Sequence, residues 1–339
     1  TSSMRNMSAV RFTVPAFEPE KCTGCAKCWT QCPDSAIPGV VSTVEEILEA
    51  AVNTVSTPQE PLIRFSQIIK HLGKESRKII AAGTFKNFAT VLAQAYKTVA
   101  KKSNWDAERH AEVDAQYNLV YSALADFPLA KTAPFFDVPE SKKKGTGGLL
   151  SITVNPETCK GCDICVAVCT DGALTSAHQT EEYQETLEDN WKLWQNLPET
   201  DDQYIKISSL DDGIGVMSSL LLKQSNYMSM VGGDGACMGC GEKTTVHLLL
   251  STVNAFMGPR VKEHIKRLEK MIKDLDEKAH DLLISGTDLS EVPDDSSELL
   301  VNLDADVKEQ VLLIRKSIEE LKDLKWRYEE GPSGRGRAN

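Results

Sequence analysis

Eight of the ten cysteines in the chain fall into two runs with a single spacing. The first run is Cys22-Thr-Gly-Cys25-Ala-Lys-Cys28-Trp-Thr-Gln-Cys32-Pro33, and the second is Cys159-Lys-Gly-Cys162-Asp-Ile-Cys165-Val-Ala-Val-Cys169. Two, two and three residues separate successive sulfurs in both. Three thiolates so spaced can each take a different iron of one cubane, while the fourth lies beyond the turn. Zinc takes four donors, often as two pairs with a longer loop between them, and the pattern fits that badly. The repeat is wider than its cysteines. Pro19-Glu20 precedes the first run and Pro156-Glu157 the second, Asp34–Ile37 follows the first and Asp171–Leu174 the second, all at an offset of 137 residues.

In two-cluster ferredoxins the fourth cysteine of each run reaches across to the other cluster. The same crossing here gives Cys22, Cys25, Cys28 and Cys169 as one ligand set, and Cys159, Cys162, Cys165 and Cys32 as the other. The remaining two cysteines lie in Gly235-Ala-Cys237-Met-Gly-Cys240-Gly241-Glu242, ahead of an apolar stretch, Val246–Leu250, that reads as a helix. A glycine-rich loop feeding a helix turns backbone N–H groups toward an anion or an inorganic core. A lone CxxC is either a dithiol or part of a metal site. With the other eight cysteines allotted, further ligands for Cys237 and Cys240 would lie outside this chain.

A length of 339 residues is enough for two or three domains. The net charge of -11 argues against nucleic acid as a partner. No stretch approaches the roughly 20 apolar residues that span a bilayer, and no apolar signal segment is present, so a soluble chain with no membrane partner is expected. Cluster ligands must be free thiolates, which points to a reducing, cytoplasmic setting. The start at Thr1 and the stop in Gly331–Asn339 read as a piece of a larger polypeptide.

Several elements must position these loops. Val10–Val14 and Leu149–Val154 alternate and suit strands that lead into the two runs. Ser42-Thr43 ahead of Glu45-Glu46 is a helix start, with Val44, Ile47, Leu48, Ala51 and Val55 on one face. Further helices are expected over Leu62–Leu72, closed by Gly73, and over Phe85–Ala100, Trp105–Phe127 and Glu181–Leu197. Tyr204–Ile207 suits a strand, and Gly213–Leu222 has no assigned role. Trp105, His71, His110 and Tyr117 read as ordinary packing or surface residues. Beyond Val261, Ile265, Leu268, Ile272, Leu275, Ala279 and Leu282 form a heptad seam. Val307, Val311, Ile314, Ile318 and Leu321 form another, so an antiparallel hairpin is expected. The expected divisions are 1–43 and 146–180 for the two halves of a ferredoxin-like domain and 44–145 for a helical insert. They continue with 181–260 for a linker and the next domain's start, 261–330 for the hairpin and 331–339 for a broken-off continuation.

The two cysteine runs and GACMGCGE, in this order, resemble the pyruvate:ferredoxin oxidoreductase family of 2-oxoacid oxidoreductases. The resemblance rests on residues 10–40, 149–175 and 232–250. It implies an α+β, multidomain chain: a two-[4Fe-4S] ferredoxin-like module with a large helical insert, then the start of an α/β thiamine diphosphate-binding domain carrying a helical hairpin. It also implies that Cys237 and Cys240 are two ligands of a third [4Fe-4S] cluster, and that Glu242 matches a residue touching thiamine diphosphate, which the whole enzyme binds with Mg2+. Gly233-Asp234-Gly235 looks like the start of a magnesium motif, but the Asn that would complete it is missing from Gly258–Lys262. Catalytic residues for the substrate are not expected in this chain. The implied activity is oxidative decarboxylation of a 2-oxoacid, pyruvate by the resemblance, with coenzyme A. Electrons would leave through the clusters to ferredoxin or flavodoxin, a task suited to one-electron carriers in a line. The other segments of the enzyme are implied partners, in a homo-oligomer of the whole. Three features depart from the pattern: Thr170 replaces a proline after Cys169, and the helical insert and the hairpin are additions. Two other readings stand beside this one: a self-contained polyferredoxin-like electron-transfer or adaptor protein, and an iron–sulfur subunit of another reductase.

Overall fold

The computed structural model describes residues 6–83, 85, 87–205, 215–230, 232–233, 235–286 and 305–329. The chain divides into two compact units, Thr1–Asn254 and Ala255–Asn339. In the first unit, β1 (Thr13–Phe17) leads into the first cysteine run; α1 (Lys27–Gln31) and β2 (Gly39–Ser42) follow it. The strand begins later than the alternation of Val10–Val14 predicts, because Ser8–Val10 winds into a single 3-10 turn.

Next comes a helical lobe. Its first helix, α2 (Val44–Val55), starts where the sequence signal places it. The Thr43 hydroxyl accepts the Glu46 N–H, and the Glu46 carboxylate accepts the Thr43 N–H at 2.7 Å, a reciprocal cap. Thr43→Ala is expected to cost about 1 kcal/mol of stability, read by urea titration; an unchanged midpoint would show that the cap contributes nothing. The expected helix over Leu62–Leu72 is instead two, α3 (Ile63–Ser66) and α4 (Ile69–Ala82), and Gly73 lies inside the second rather than ending it. A Cβ on Gly73 would fall 2.3 Å from a Glu45 carboxylate oxygen. The glycine thus lets α2 approach, and Glu45 pairs with Arg77 of α4. Helices α5 (Phe88–Lys102) and α6 (Ala107–Leu124) begin behind side-chain caps from Asn87 and Asp106. Tyr96 and Tyr117 stack between them at 3.8 Å, so Tyr117 is a packing residue.

The chain returns through β3 (Leu129–Ala130), α7 (Val138–Lys142) and β4 (Leu149–Ile152) to the second cysteine run, which ends in α8 (Ile164–Ala167) and β5 (Leu174–His178). The strand β3 lies within the expected helical insert, yet it joins the module's sheet. Then follow α9 (Glu181–Gln195), α10 (Asp202–Ile205), α11 (Val216–Leu220) and α12 (Gln224–Tyr227). Where Tyr204–Ile207 suits a strand, Tyr204 sits in the short helix α10, buried and donating its hydroxyl to the Thr146 carbonyl at 2.7 Å. Residues 206–214, including Ile207 and Gly213, lie outside the described residues. Helix α13 (Gly241–Gly286) begins after the CxxC.

Strand pairing joins the two halves. β1 pairs antiparallel with β5, from Thr13↔His178 to Phe17↔Leu174. β2 pairs antiparallel with β4, from Gly39↔Ile152 to Ser42↔Leu149, and β3 extends that sheet. Each ladder therefore takes one strand from each cysteine run. The core beneath is continuous, from Val14 and Trp29 through Ile47, Leu48 and Leu92 of the lobe to Leu149 and Trp194.

In the second unit, the later part of α13 runs antiparallel to α14 (Ala305–Glu329). His264 meets Tyr328 edge-on at 4.8 Å, and Lys325 pairs with Glu269 at 2.9 Å. Leu268, Ala279, Val311 and Ile318 of the expected seams are buried. Residues 287–304 between the two seams, and the tail 330–339, lie outside the described residues.

Candidate metal centres

The repeat in sequence is also a repeat in backbone conformation. Three positions pair at the offset of 137 with left-handed backbone: Gly24 with Gly161, Ala26 with Asp163, and Ser35 with Gly172. L-residues adopt this conformation at a cost, so Ala26 and Asp163 mark turns that the fold imposes. At Gly161 a Cβ would fall 2.4 Å from the Thr13 carbonyl, so only glycine lets the second loop close against β1. These turns aim N–H groups at sulfur in matched pairs: Gly24 toward Cys22 and Gly161 toward Cys159, Trp29 toward Cys28 and Val166 toward Cys165.

The eight cysteines surround two cavities. One is lined by Cys32, Cys159, Cys162 and Cys165, with Pro15, Ile37 and Val154 among its apolar walls. The other is lined by Cys22, Cys25, Cys28 and Cys169, with Phe17, Ile152 and Leu174. Cys32 thus lies with the second run and Cys169 with the first. All ten cysteines are free thiols. Among the described residues, no three His, Cys, Asp or Glu side chains converge on a point where one ion would sit. Four thiols ringing a cavity, with backbone N–H groups directed at the sulfurs, suit a multi-iron group in which each thiolate takes its own iron. They do not suit the closed tetrahedron of a structural zinc site.

Burial pushes the Cys22 and Cys32 thiols up to about 12 and raises Cys28, Cys159, Cys162 and Cys165 as well, while the N–H groups pull the other way. Such thiols keep their protons until a metal cation displaces them.

Several residues around these loops carry no local sequence signal. Arg11, buried, donates to the carbonyls of Pro156 and Cys159, both at 2.7 Å, and to Gln184 Oε1 at 2.7 Å. Desolvation of its guanidinium is offset in part by the Cys159 sulfur. Asp34 lines the first cavity, buried between Lys160 at 3.2 Å and Lys243 of α13. Trp29, fully buried beside Cys28, donates its indole N–H to the Ser218 carbonyl at 3.1 Å. The 213–222 segment, unassigned in the sequence, therefore includes a helix, α11, that packs on α1. Trp29, Asp34 and Lys160 fall within the repeated motif; Arg11, Gln184, Lys243 and Ser218 are long-range partners.

Cys237 is exposed and Cys240 half-buried, and neither lines the two cavities. Their turn, with Gly239 left-handed, nevertheless lies against the second run. A Cβ on Gly239 would stand 3.1 Å from Ile164 Cδ1 and 3.8 Å from Cys162 Cβ, and Lys160 donates to the Ala236 carbonyl at 2.9 Å. Glu242 is exposed in the first turn of α13 and lines neither cavity. No helix among the described residues is long and apolar enough to cross a membrane.

No protein-family model matches the chain. Over 106 residues it is 31% identical to a pyruvate-flavodoxin oxidoreductase of Nostoc sp., a match covering 29% of this chain and 8% of that protein. Over 110 residues it is 28% identical to a pyruvate-flavodoxin oxidoreductase of Rhodospirillum rubrum, covering 30% of this chain and again 8% of the relative. Part of the chain is therefore related to a family of oxidoreductases. The particular relatives are flavodoxin-linked pyruvate enzymes, and the matched stretch spans under a tenth of their length.

Proposed function

We propose that this chain is the electron-transfer section of a 2-oxoacid oxidoreductase, with pyruvate as the 2-oxoacid and coenzyme A as the acyl acceptor in the whole enzyme. The observation that carries the reading is the grouping of eight cysteines around two cavities, each with three sulfurs from one run and one from the other. In this reading Cys22, Cys25, Cys28 and Cys169 hold one [4Fe-4S] cluster, and Cys159, Cys162, Cys165 and Cys32 hold a second. Cys237 and Cys240 supply two ligands of a third, completed from outside this chain. Thiamine diphosphate and Mg2+ belong to the whole enzyme, with Glu242 at the edge of their site. Bound in these cavities, the clusters supply one-electron acceptance and release at low potential. The chain's own residues shape the sites: the left-handed turns direct N–H groups to sulfur, the apolar walls limit water, and Arg11 fixes the second loop to the N-terminal segment. The close approach of the Cys237–Cys240 turn to Cys162 favours a place in line for all three sets, with ferredoxin or flavodoxin as the final acceptor.

Anaerobic loading with iron and sulfide tests this. The chain should take up about eight irons with matching sulfide, and the whole enzyme about twelve, together with thiamine diphosphate. A whole enzyme with about eight irons and no thiamine diphosphate would favour a self-contained electron carrier. Metal bound without sulfide would remove both readings.

A further inference from the structure

The repeat builds the two cavities alike, and one pair of positions marks where they part. Asp34 and Lys160 line the first cavity; their counterparts at the offset of 137 are Asp171 and Thr23, which line the second. Each aspartate meets its partner across the two runs. Asp34 pairs with Lys160 at 3.2 Å, and Asp171 accepts the Thr23 hydroxyl at 2.9 Å. The contact is repeated, but a cation stands in the first cavity where a hydroxyl stands in the second. Asp34 and Lys160 are buried, whereas Asp171 and Thr23 are exposed. Lys243, buried in the first turn of α13, pairs with the same Asp34 oxygen as Lys160. Arg11 is a third buried cation on this side, donating to the Cys159 carbonyl at 2.7 Å; its counterpart by the offset is Gly148.

Around the first cavity, three cations, Arg11, Lys160 and Lys243, stand against two carboxylates, buried Asp34 and half-buried Asp163, which leaves one net positive charge. Among the described residues, the charged ones lining the second cavity are Lys27 and Asp171, which cancel and are both exposed. Exposed charges are screened by water, while buried ones act through a medium of lower dielectric constant. We propose that Arg11, Lys160 and Lys243 are positioning residues that act through the field they set up: their buried charge makes the iron–sulfur centre held by Cys32, Cys159, Cys162 and Cys165 the easier of the two to reduce. Reduction adds one negative charge to a centre, and nearby positive charge stabilises that state more than the oxidised one. The electron comes from dithionite in the test below, and no bond in the chain forms or breaks. Two centres with identical cysteine spacing thus differ in potential. The first cavity is also the one beside the Cys237–Cys240 turn, which Lys160 grips through the Ala236 carbonyl at 2.9 Å. An electron shared between the two centres therefore rests mainly on the one nearest that turn.

The inference rests on the iron–sulfur reading of the cavities, and its test separates the two. The full chain, Lys243→Met, Lys243→Arg and Asp34→Asn are loaded anaerobically, iron and sulfide are counted, and a dithionite titration is followed by electron paramagnetic resonance. The unmodified chain should show two reduction waves at different potentials. Lys243→Met should move only the upper wave, to lower potential, and Lys243→Arg should restore it. Asp34→Asn should move the same wave the opposite way, which a loss of packing alone would not do. Coincident waves in the unmodified chain overturn the proposal, as does a shift confined to the lower wave, or the same direction of shift in Lys243→Met and Asp34→Asn. Should these variants load poorly, Arg11→Gln removes a cation carried by a different part of the chain and must lower the same upper wave; an unmoved wave overturns the proposal. An unmodified chain that takes up no iron overturns the cluster reading itself.

Discussion

Replacing Cys32 and Cys159 together should remove no more iron than replacing either one alone. Both line the same cavity, although 127 residues separate them in sequence. A cubane that has lost one thiolate is released or left labile, so each single change to Ala should reduce the load from about eight irons to about four. The second change in the same cavity then has nothing further to remove. Cys32→Ala with Cys22→Ala should behave differently: those residues are ten apart in sequence but line different cavities, and the double variant should lose nearly all its iron. This is a double-mutant cycle with iron as its readout. If the Cys32 and Cys22 changes proved non-additive while the Cys32 and Cys159 changes added, the first run would be a self-contained site and the crossing would be wrong.

Trp29→Ala is expected to cost about 3–5 kcal/mol, the range for truncating a large buried aromatic. The side chain is fully buried in the continuous core. It also fills a close contact: a Cβ on Gly39 would approach its ring to 3.0 Å, and its indole N–H satisfies the Ser218 carbonyl. Three parts of the fold meet there, namely α1, the start of β2 and α11. Removing the ring should therefore loosen the cavity of Cys28 as well as the chain as a whole. Chemical denaturation of the metal-free chain measures the first effect, and the rate of iron loss to a chelator measures the second. Trp29→Phe keeps most of the volume and should fall well short of the Ala variant in both. A loss below about 1 kcal/mol for Trp29→Ala would show that α1 collapses to fill the space, as sites that relax do.

The parts of this fold that are legible in the sequence are those governed by neighbours. The cap at Thr43, the apolar faces of α2, α5 and α6, and the cysteine spacing all depend on residues within about one or two helical turns. The pairing of left-handed turns at Gly24 with Gly161 and Ser35 with Gly172 follows from the same repeat. What fails depends on distant chain. Gly73 looks like a helix stop, yet it serves the approach of Glu45, a contact that no local pattern announces. Tyr204 sits in an alternating run, yet burial against Thr146 fixes it in a helical turn. Arg11 is invisible for the same reason: its partners Pro156, Cys159 and Gln184 lie 145 to 173 residues away. A charged or aromatic residue alone in a loop has no periodicity to betray it. The cysteine groupings follow from analogy with the ferredoxin crossing; the strand exchange that accompanies them, β1 with β5 and β2 with β4, has no signal in the local sequence.

That exchange bears on how the protein is made. During synthesis the first run leaves the ribosome with neither cavity complete, because each waits for sulfurs and a strand from the second run. The 137-residue offset of the second run from the first, at about 5–20 residues per second, amounts to a delay on the order of ten seconds. Through it Cys22, Cys25, Cys28 and Cys32 lack their partner sulfurs from the second run. On the iron–sulfur reading proposed above, both sets of four come together only once β5 has emerged, the last strand the two ladders need.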